Sequence, residues 1–307
     1  MLRKLSLGPS EIGSFDYVFL IVNADDYCYS EGVSRGILET IKNGIVTATG
    51  VLANSPNFET HISKLLEFDR LDIGVHLTLT SGKPLTGNMC DLVKFNNWEF
   101  PKSKARMAGA ILSGKIKARD VYLEWKTQIQ RCRDSGISVK FLNSHEHLHS
   151  LPPLLQVVHR LMDEYNIRFL RNPRAEWFGF PNIDGLYRNI ILQFLYLLNY
   201  RYSNNFTPTL IGVNKSGKLD LEYFKRRLPT LQKGRVYELM CHPGFYDTKD
   251  NISPRLLAYH DWKGELDTFC SESLFDLCQS NAICLIGFSD LTINGDILQG
   301  RTCQKQN

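Results

Sequence analysis

Tyr17-Val18-Phe19-Leu20-Ile21-Val22-Asn23-Ala24-Asp25-Asp26 runs from apolar residues straight into two adjacent aspartates. Such a run reads as a buried strand, and carboxylates at its end can divide two jobs, one holding a metal and the other taking a proton. Taken alone, the pair reads equally well as a solvated acidic turn. The rest of the chain decides between the two.

Working outward, strand-like runs fall near residues 17 to 23, 45 to 53, 72 to 79, 139 to 143, 167 to 171, 208 to 212, 235 to 241 and 283 to 287. Helical patterns lie between most of them. Ser30 is placed to cap a helix carrying Val33, Ile37 and Ile41 at a four-residue spacing, with Gly44 as its stop. Val121, Trp125, Ile129 and Cys132 repeat the spacing up to Gly136, and Pro152 and Pro153 can open a further helix. This alternation predicts a single-domain α/β protein with a parallel (βα)-barrel-like sheet related to the TIM barrel; an open doubly wound sheet is the alternative. Neither a Gly-x-Gly-x-x-Gly nor a Walker-type loop follows the first strand, which counts against a dinucleotide or nucleoside triphosphate fold. Residues 81 to 117 and the polar stretch from Arg171 to Asp184 read as irregular loops that could wall an active site.

In a parallel barrel the active site forms where strands run out into their following loops. Asp25 and Asp26 follow the first strand, His76 falls late in the third, His145 follows the fourth, Arg171 ends the fifth and His242 follows the seventh. One carboxylate and two imidazoles with open positions form a recurring metal site for hydrolysis, although a lone histidine is more often simply hydrogen-bonded in the fold. His147 and His149 share a side with His145 only while the strand continues, and Pro152 suggests that it has ended. One of them is expected to orient a ligand or touch substrate. Pro243-Gly244 turns the chain after His242, which is expected to act as a general acid or to stabilise an oxyanion.

These residues resemble the YdjC-like carbohydrate deacetylases, which include chitooligosaccharide and hopanoid-lipid deacetylases. The resemblance is carried, in order, by Ile21-Val22-Asn23-Ala24-Asp25-Asp26-Tyr27, Gly44-Ile45-Val46-Thr47-Ala48-Thr49, Ile73-Gly74-Val75-His76-Leu77-Thr78-Leu79-Thr80 with Gly82-Lys83-Pro84-Leu85, Ser144-His145-Glu146-His147-Leu148-His149, and Glu238-Leu239-Met240-Cys241-His242-Pro243-Gly244. It spans about residues 17 to 290. It implies a barrel-like α/β fold and hydrolytic removal of an acetyl group from an N-acetylated sugar or glycolipid. Asp26, His76 and His145 would then hold a divalent ion, Asp25 would take the proton of the attacking water, and Asn54, His147, His149 and Arg171 would contact substrate. Family resemblance favours Mg²⁺, whereas the ligand types suit Zn²⁺ at least as well. Two segments depart from the family pattern: Asn143 stands where many members carry aspartate, and Lys263-Gly264-Glu265-Leu266 replaces an arginine-containing stretch. A metal-dependent phosphoesterase, which would need extra cationic residues at the site, is an alternative. So is a non-catalytic sugar-binding protein using aromatics such as Trp98, Trp177 and Phe178.

Of the 307 residues, 43% are hydrophobic and 22% charged, enough for a large core. The net charge of +4 is dispersed rather than gathered in a basic block, which gives no case for nucleic acid. Eight cysteines show no Cys-x-x-Cys pair, so reduced thiols in a cytoplasmic protein are expected. No signal peptide is read near the N-terminus. The apolar segment 190–198 is too short for a comfortable transmembrane span and is expected to be a buried or oligomer-facing helix, leaving room for a homo-oligomer. Residues 1–16 are expected as an N-terminal extension, 17–292 as the deacetylase-like domain and 293–307 as a tail.

Overall fold

Strand β1 (Val18–Tyr27) is buried at all ten positions, as expected for a strand covered on both faces in a parallel sheet. In this computed structural model the described residues are 16–89, 93, 96–178, 183–199, 207–247, 252, 254–292 and 297. The expected N-terminal extension and C-terminal tail lie almost wholly outside them. Around β1 run β2 (Ala48–Val51), β3 (Asp72–Leu77), β4 (Val139–Ser144), β5 (Phe169–Leu170), β6 (Thr209–Ile211), β7 (Val236–Cys241) and β8 (Ile283–Leu285), each inside its expected run except β4, which extends one residue past it. Every strand ladder is parallel, in the order β5-β4-β3-β2-β1-β7-β6.

β8 sits outside that order. It pairs with the start of β1, Val18 opposite Ile283 and Leu20 opposite Leu285, while β2 takes the upper part, Asn23 opposite Ala48. The turn after β8 is tied to the foot of β3, where Asp72 Oδ2 accepts from Ser289 N at 2.8 Å. The sheet is curled and barrel-like, and among the described residues no ladder joins β5 to β6. Side chains bridge that seam instead. Arg174 donates to Thr209 Oγ1 at 3.1 Å, and Glu176 accepts from Tyr223 Oη at 2.8 Å and Arg227 Nε at 3.0 Å.

Helix α1 (Glu31–Asn43) begins as expected, with Ser30 Oγ accepting from Val33 N at 3.2 Å, and ends at Gly44, whose N–H bonds Thr40 O at 3.1 Å. Then follow α2 (Phe58–Leu65), α3 (Lys104–Leu112), α4 (Ala118–Asp134), α5 (Pro152–Tyr165), α6 (Ile183–Leu198), α7 (Leu221–Arg227), α8 (Pro254–Tyr259), α9 (Trp262–Phe269) and α10 (Glu272–Ser280). Val121, Trp125, Ile129 and Cys132 of α4 are fully buried, the stripe their spacing predicts.

Three expectations are corrected. Residues 81–117 are not one irregular loop: α3 lies within them, and Glu124 of α4 accepts from Leu85 N and Thr86 N at 3.0 and 2.9 Å to pin their start. Segment 190–198 belongs to α6 and is not the buried helix of the two forms expected, since Ile190, Phe194, Leu197 and Leu198 are all more than half exposed and it is Leu192 that turns inward; the oligomer-facing form of the expectation is untouched by this. The thiols are not all reduced: Cys28, Cys132, Cys241, Cys270 and Cys278 are free, but Cys284 is disulfide-bonded. No described helix is long and apolar enough to cross a membrane.

Alternation along the strands positions the site. Val18, Leu20, Val22 and Ala24 pack in the large core that includes Val33, Ile37 and Ile41 of α1. Their neighbours Phe19 and Ile21 turn the other way, into a cluster with Ala48, Phe141 and Phe288. The same side of the sheet continues upward as Asn23 and Asp25 on β1, His76 on β3, Asn143 on β4 and Glu238 on β7, because side chains two apart share a face. The interior is therefore apolar at the strand starts and polar at the strand ends.

Candidate metal and catalytic centre

β1 does not stop before the aspartates but runs through them. Three steps along it, Ala24 to Tyr27, match two along β2, Thr49 to Val51, and Asp26 takes a left-handed φ of 70°. Such a bulge re-aims a side chain. Consecutive strand residues would otherwise face opposite ways, yet here both aspartates reach His76: Asp25 Oδ1 is 3.9 Å from its Nδ1 and Asp26 Oδ1 is 3.2 Å from its Nε2. His145, the first residue after β4, brings its Nδ1 within 2.9 Å of the same Asp26 oxygen. One ligand atom from each of Asp26, His76 and His145 lies within 4.8 Å of the other two.

The hydrogen bonds fix the tautomer of His76. Asn143 Nδ2 donates to Asp25 Oδ1 at 2.9 Å, so its Oδ1, 2.7 Å from His76 Nδ1, can only accept. A neutral His76 therefore carries its proton on Nδ1 and presents the Nε2 lone pair to Asp26, an acceptor facing an acceptor that a cation between them relieves. The donor set, two imidazoles and a carboxylate, fits a divalent ion. Burial works against charge at both remaining groups, but their mutual attraction wins: Asp26 is held well below the usual carboxylate range and His145 is lifted to about 9. At neutral pH without a metal, a proton on His145 occupies the role that a cation would take. Gly50 on β2 leaves the space this needs, since a methyl there would come within 3.1 Å of Asn143 Oδ1 and 3.2 Å of the His76 Cβ.

Asp25 has a different environment. Arg171 grips it with two guanidinium nitrogens, at 2.5 and 3.0 Å, and Asn23 Nδ2 donates at 2.8 Å. Burial raises its pKa, but Arg171 and the neighbouring histidines outweigh that and hold the carboxyl ionised. Arg171 is itself 1% exposed and also bonds Glu238 at 2.7 Å, so its charge is spent inside the protein. Sequence reasoning gave Glu238 no role. Its signal was a carboxylate inside the apolar run of β7, four residues before His242 and so on the same side.

The other expected site residues do varied work. Asn54 Nδ2 donates to the carbonyls of Ser81 and Lys83 at 2.7 and 3.0 Å, stapling the loop after β3. His149 is buried with both ring nitrogens engaged, Nδ1 with Ser144 Oγ at 2.5 Å and Nε2 with the Arg171 carbonyl at 2.8 Å, and burial drives its pKa to about 3. It thereby fixes the backbone that carries Arg171. Glu146 and His147 both take left-handed φ values, 57° and 58°, a strain typical of functional turns. His147 stays partly exposed, with a buried Nδ1 that has no partner.

His242 is 8% exposed, and burial depresses its pKa despite the charges of Asp26 and Asp25. Its backbone N–H donates to Glu265 Oε2 at 2.5 Å. The Pro243-Gly244 turn is wedged against α1, where a methyl on Gly36 would lie 2.3 Å from Gly244 Cα. Glycine at position 36 permits that approach. His242 thus stands on the wall formed by β7, beside the Asp25 and Asp26 pair.

Comparison with known proteins bears on the family and the fold. The family model described as YdjC-like protein matches residues 19–280. A protein of Clostridium beijerinckii named carbohydrate deacetylase is 29% identical over 272 residues, 89% of this chain and 99% of that protein. One of the same name from Halalkalibacterium halodurans is 32% identical, over 74% of this chain and 86% of its own length. The crystal structure of a cellobiose-phosphate cleavage protein from Enterococcus faecalis superposes with a TM-score of 0.68 at 26% identity, covering 89% of this chain and 98% of that one.

Proposed function

The chain belongs to the YdjC-like family, and on that premise we propose that it is a metal-dependent carbohydrate deacetylase, hydrolysing the acetamide of an N-acetylated sugar or glycolipid. The observation that carries the proposal is the division of labour between two adjacent aspartates: Asp26 faces two imidazoles as a ligand set, while Asp25 is clamped beside it as an ionised carboxylate. Asp26, His76 and His145 would hold the ion. When bound, a divalent ion there polarises the acetamide carbonyl and acidifies water. Asp25 is aimed by Arg171, Asn23 and Asn143 and takes the proton of the attacking water. His242, on the β7 wall, is the group placed to protonate the departing amine; the Asp26 and Asp25 charges favour its cationic form while burial opposes it.

The phosphoesterase alternative is less well supported. It needs free cationic groups, and the guanidinium of Arg171 is committed to Asp25 and Glu238, while His149 is kept neutral by burial. Two imidazoles suit Zn²⁺ or a similar transition ion as well as Mg²⁺, which prefers oxygen. The test is acetate release from N-acetylglucosamine oligomers by protein stripped with chelator and then reloaded with Mg²⁺, Zn²⁺ or Co²⁺. Release should require one of these ions and vanish in His76→Ala. Equal release by the stripped protein or by that variant would overturn the proposal.

A further inference from the structure

Beyond the metal cluster, a stack of three rings runs into the site from the α8–α9 junction. The His260 ring lies parallel to Trp262, 5.1 Å between centroids and 14° between planes, and it also meets His242 at 4.8 Å and 55° and the edge-on ring of Tyr259 at 4.8 Å and 78°. Trp262 and His242 are buried, whereas His260 is partly exposed. Of the three, His260 is thus the ring that opens outward from the His242 wall. Its backbone is pinned on both sides: His260 N–H bonds Leu256 O at 3.0 Å, and Asp261 N–H bonds Gly217 O at 2.7 Å. Asp261 in turn caps α9, accepting from Gly264 N at 3.0 Å. Beneath it Gly217, at φ 80°, leaves room for the imidazole, since a methyl there would sit 2.7 Å from its Nδ1. The Nδ1 atoms of both His260 and His242 are buried without a hydrogen-bond partner.

We propose that His260 is a substrate-contacting residue, a polar edge backed by Trp262 that binds a hydroxyl of the sugar beside the acetamide held at His242. This rests on the deacetylase assignment above. A ring with a fixed backbone, an aromatic support and an outward edge loses little entropy when it binds. Its chemistry suits a hydroxyl rather than an anion: burial, with His242 beside it, holds its pKa near 3, so the imidazole is neutral and offers one donor and one acceptor. Its ring contact with His242, 4.8 Å between centroids, ties it to the wall of the same site rather than to a separate pocket.

The experiment compares His260→Phe, which keeps a ring against Trp262, and His260→Gln, which restores a donor and an acceptor, with the unaltered protein. Acetate release and metal affinity are measured on N-acetylglucosamine oligomers, and sugar binding is measured separately in the turnover-deficient Asp25→Asn background. We expect His260→Phe to raise KM about tenfold, the loss of one hydrogen bond to a bound ligand, with kcat and metal affinity within about twofold. His260→Gln should recover part of the KM. Wild-type KM and sugar affinity in His260→Phe would overturn the assignment, as would a fall in kcat and metal content together, which would make the residue structural. If the unaltered protein releases no acetate yet binds the sugars, the deacetylase reading fails, and the His260 assignment still stands or falls on the binding series. Absence of any sugar binding overturns both.

Discussion

The lower and upper halves of the barrel interior are built from the same strands, yet they obey opposite rules. Below, Phe19, Ile21, Phe141 and Phe288 fill the space with apolar contact, Phe141 and Phe288 stacking at 4.3 Å. Above, two to four residues further along the chain from these strand positions, Asp25, Asn143, Glu238 and Arg171 put charges and amides where little water reaches. Burying an ion costs several kcal/mol unless it is paired and hydrogen-bonded, and one oxygen of Glu238 still lacks a partner. Apolar residues would be more stabilising there. The lower half is thus what holds the strands, and on the proposed function the upper half is tolerated because it orients a ligand set and a proton acceptor.

That contrast can be broken by separating activity from stability. The largest effect is expected for Asp25→Asn, which keeps size but removes proton acceptance: kcat for acetate release should fall on the order of 10²- to 10⁴-fold, with metal affinity by calorimetry nearly unchanged. Near-normal turnover would move the base elsewhere. In the lower half, Phe288→Ala should cost about 3–5 kcal/mol in denaturant unfolding while leaving the kcat of the folded fraction intact. A parallel loss of kcat would show that the halves are not separable.

A finer probe is Asn143→Leu, which removes the acceptor that fixes the His76 tautomer. Metal affinity should drop roughly 10- to 100-fold, as for other outer hydrogen-bond partners of metal-bound histidines. Unchanged affinity would mean that Asn143 only fills space. The smallest effect is a slope in pH. The metal-free protein holds a proton on His145 up to about 9, and a metal must displace it. Apparent metal affinity should therefore rise by about tenfold per pH unit below that value and level off above it; a pH-independent affinity would remove His145 from the ligands.

Much of this was legible in the chain itself. The eight strands were visible as mainly apolar runs because strands buried on both faces carry few polar residues, and the α1 and α4 boundaries were visible as Ser30, Gly44 and Gly136. The ligand residues were marked by position, as His76, His145 and Asp26 fall at strand ends. Less legible were side chains whose meaning depends on a partner far along the chain. Arg171 reads as a substrate contact until it is seen between Asp25 and Glu238, and Asn54 until its amide is seen on the loop carbonyls. His260 gave no signal, being in no motif and between two short helices.

By itself, then, the sequence determined the alternating α/β architecture and, through motifs in order, the family, and it singled out Asp26, His76 and His145 as candidate ligands, because these follow from local hydrophobic periodicity, from motif resemblance and from which residues occupy strand ends. Only the tertiary structure showed how differently the two aspartates are surrounded, Asp26 against two imidazoles and Asp25 in the grip of Arg171. Their identities and sequence surroundings are nearly the same. The bulge that turns Asp26 to φ 70° and the Arg171 clamp that claims Asp25 arise from pairings more than 20 and more than 140 residues apart. Contacts at that separation leave no periodicity to read; they exist once the sheet has curled and brought the strand ends together.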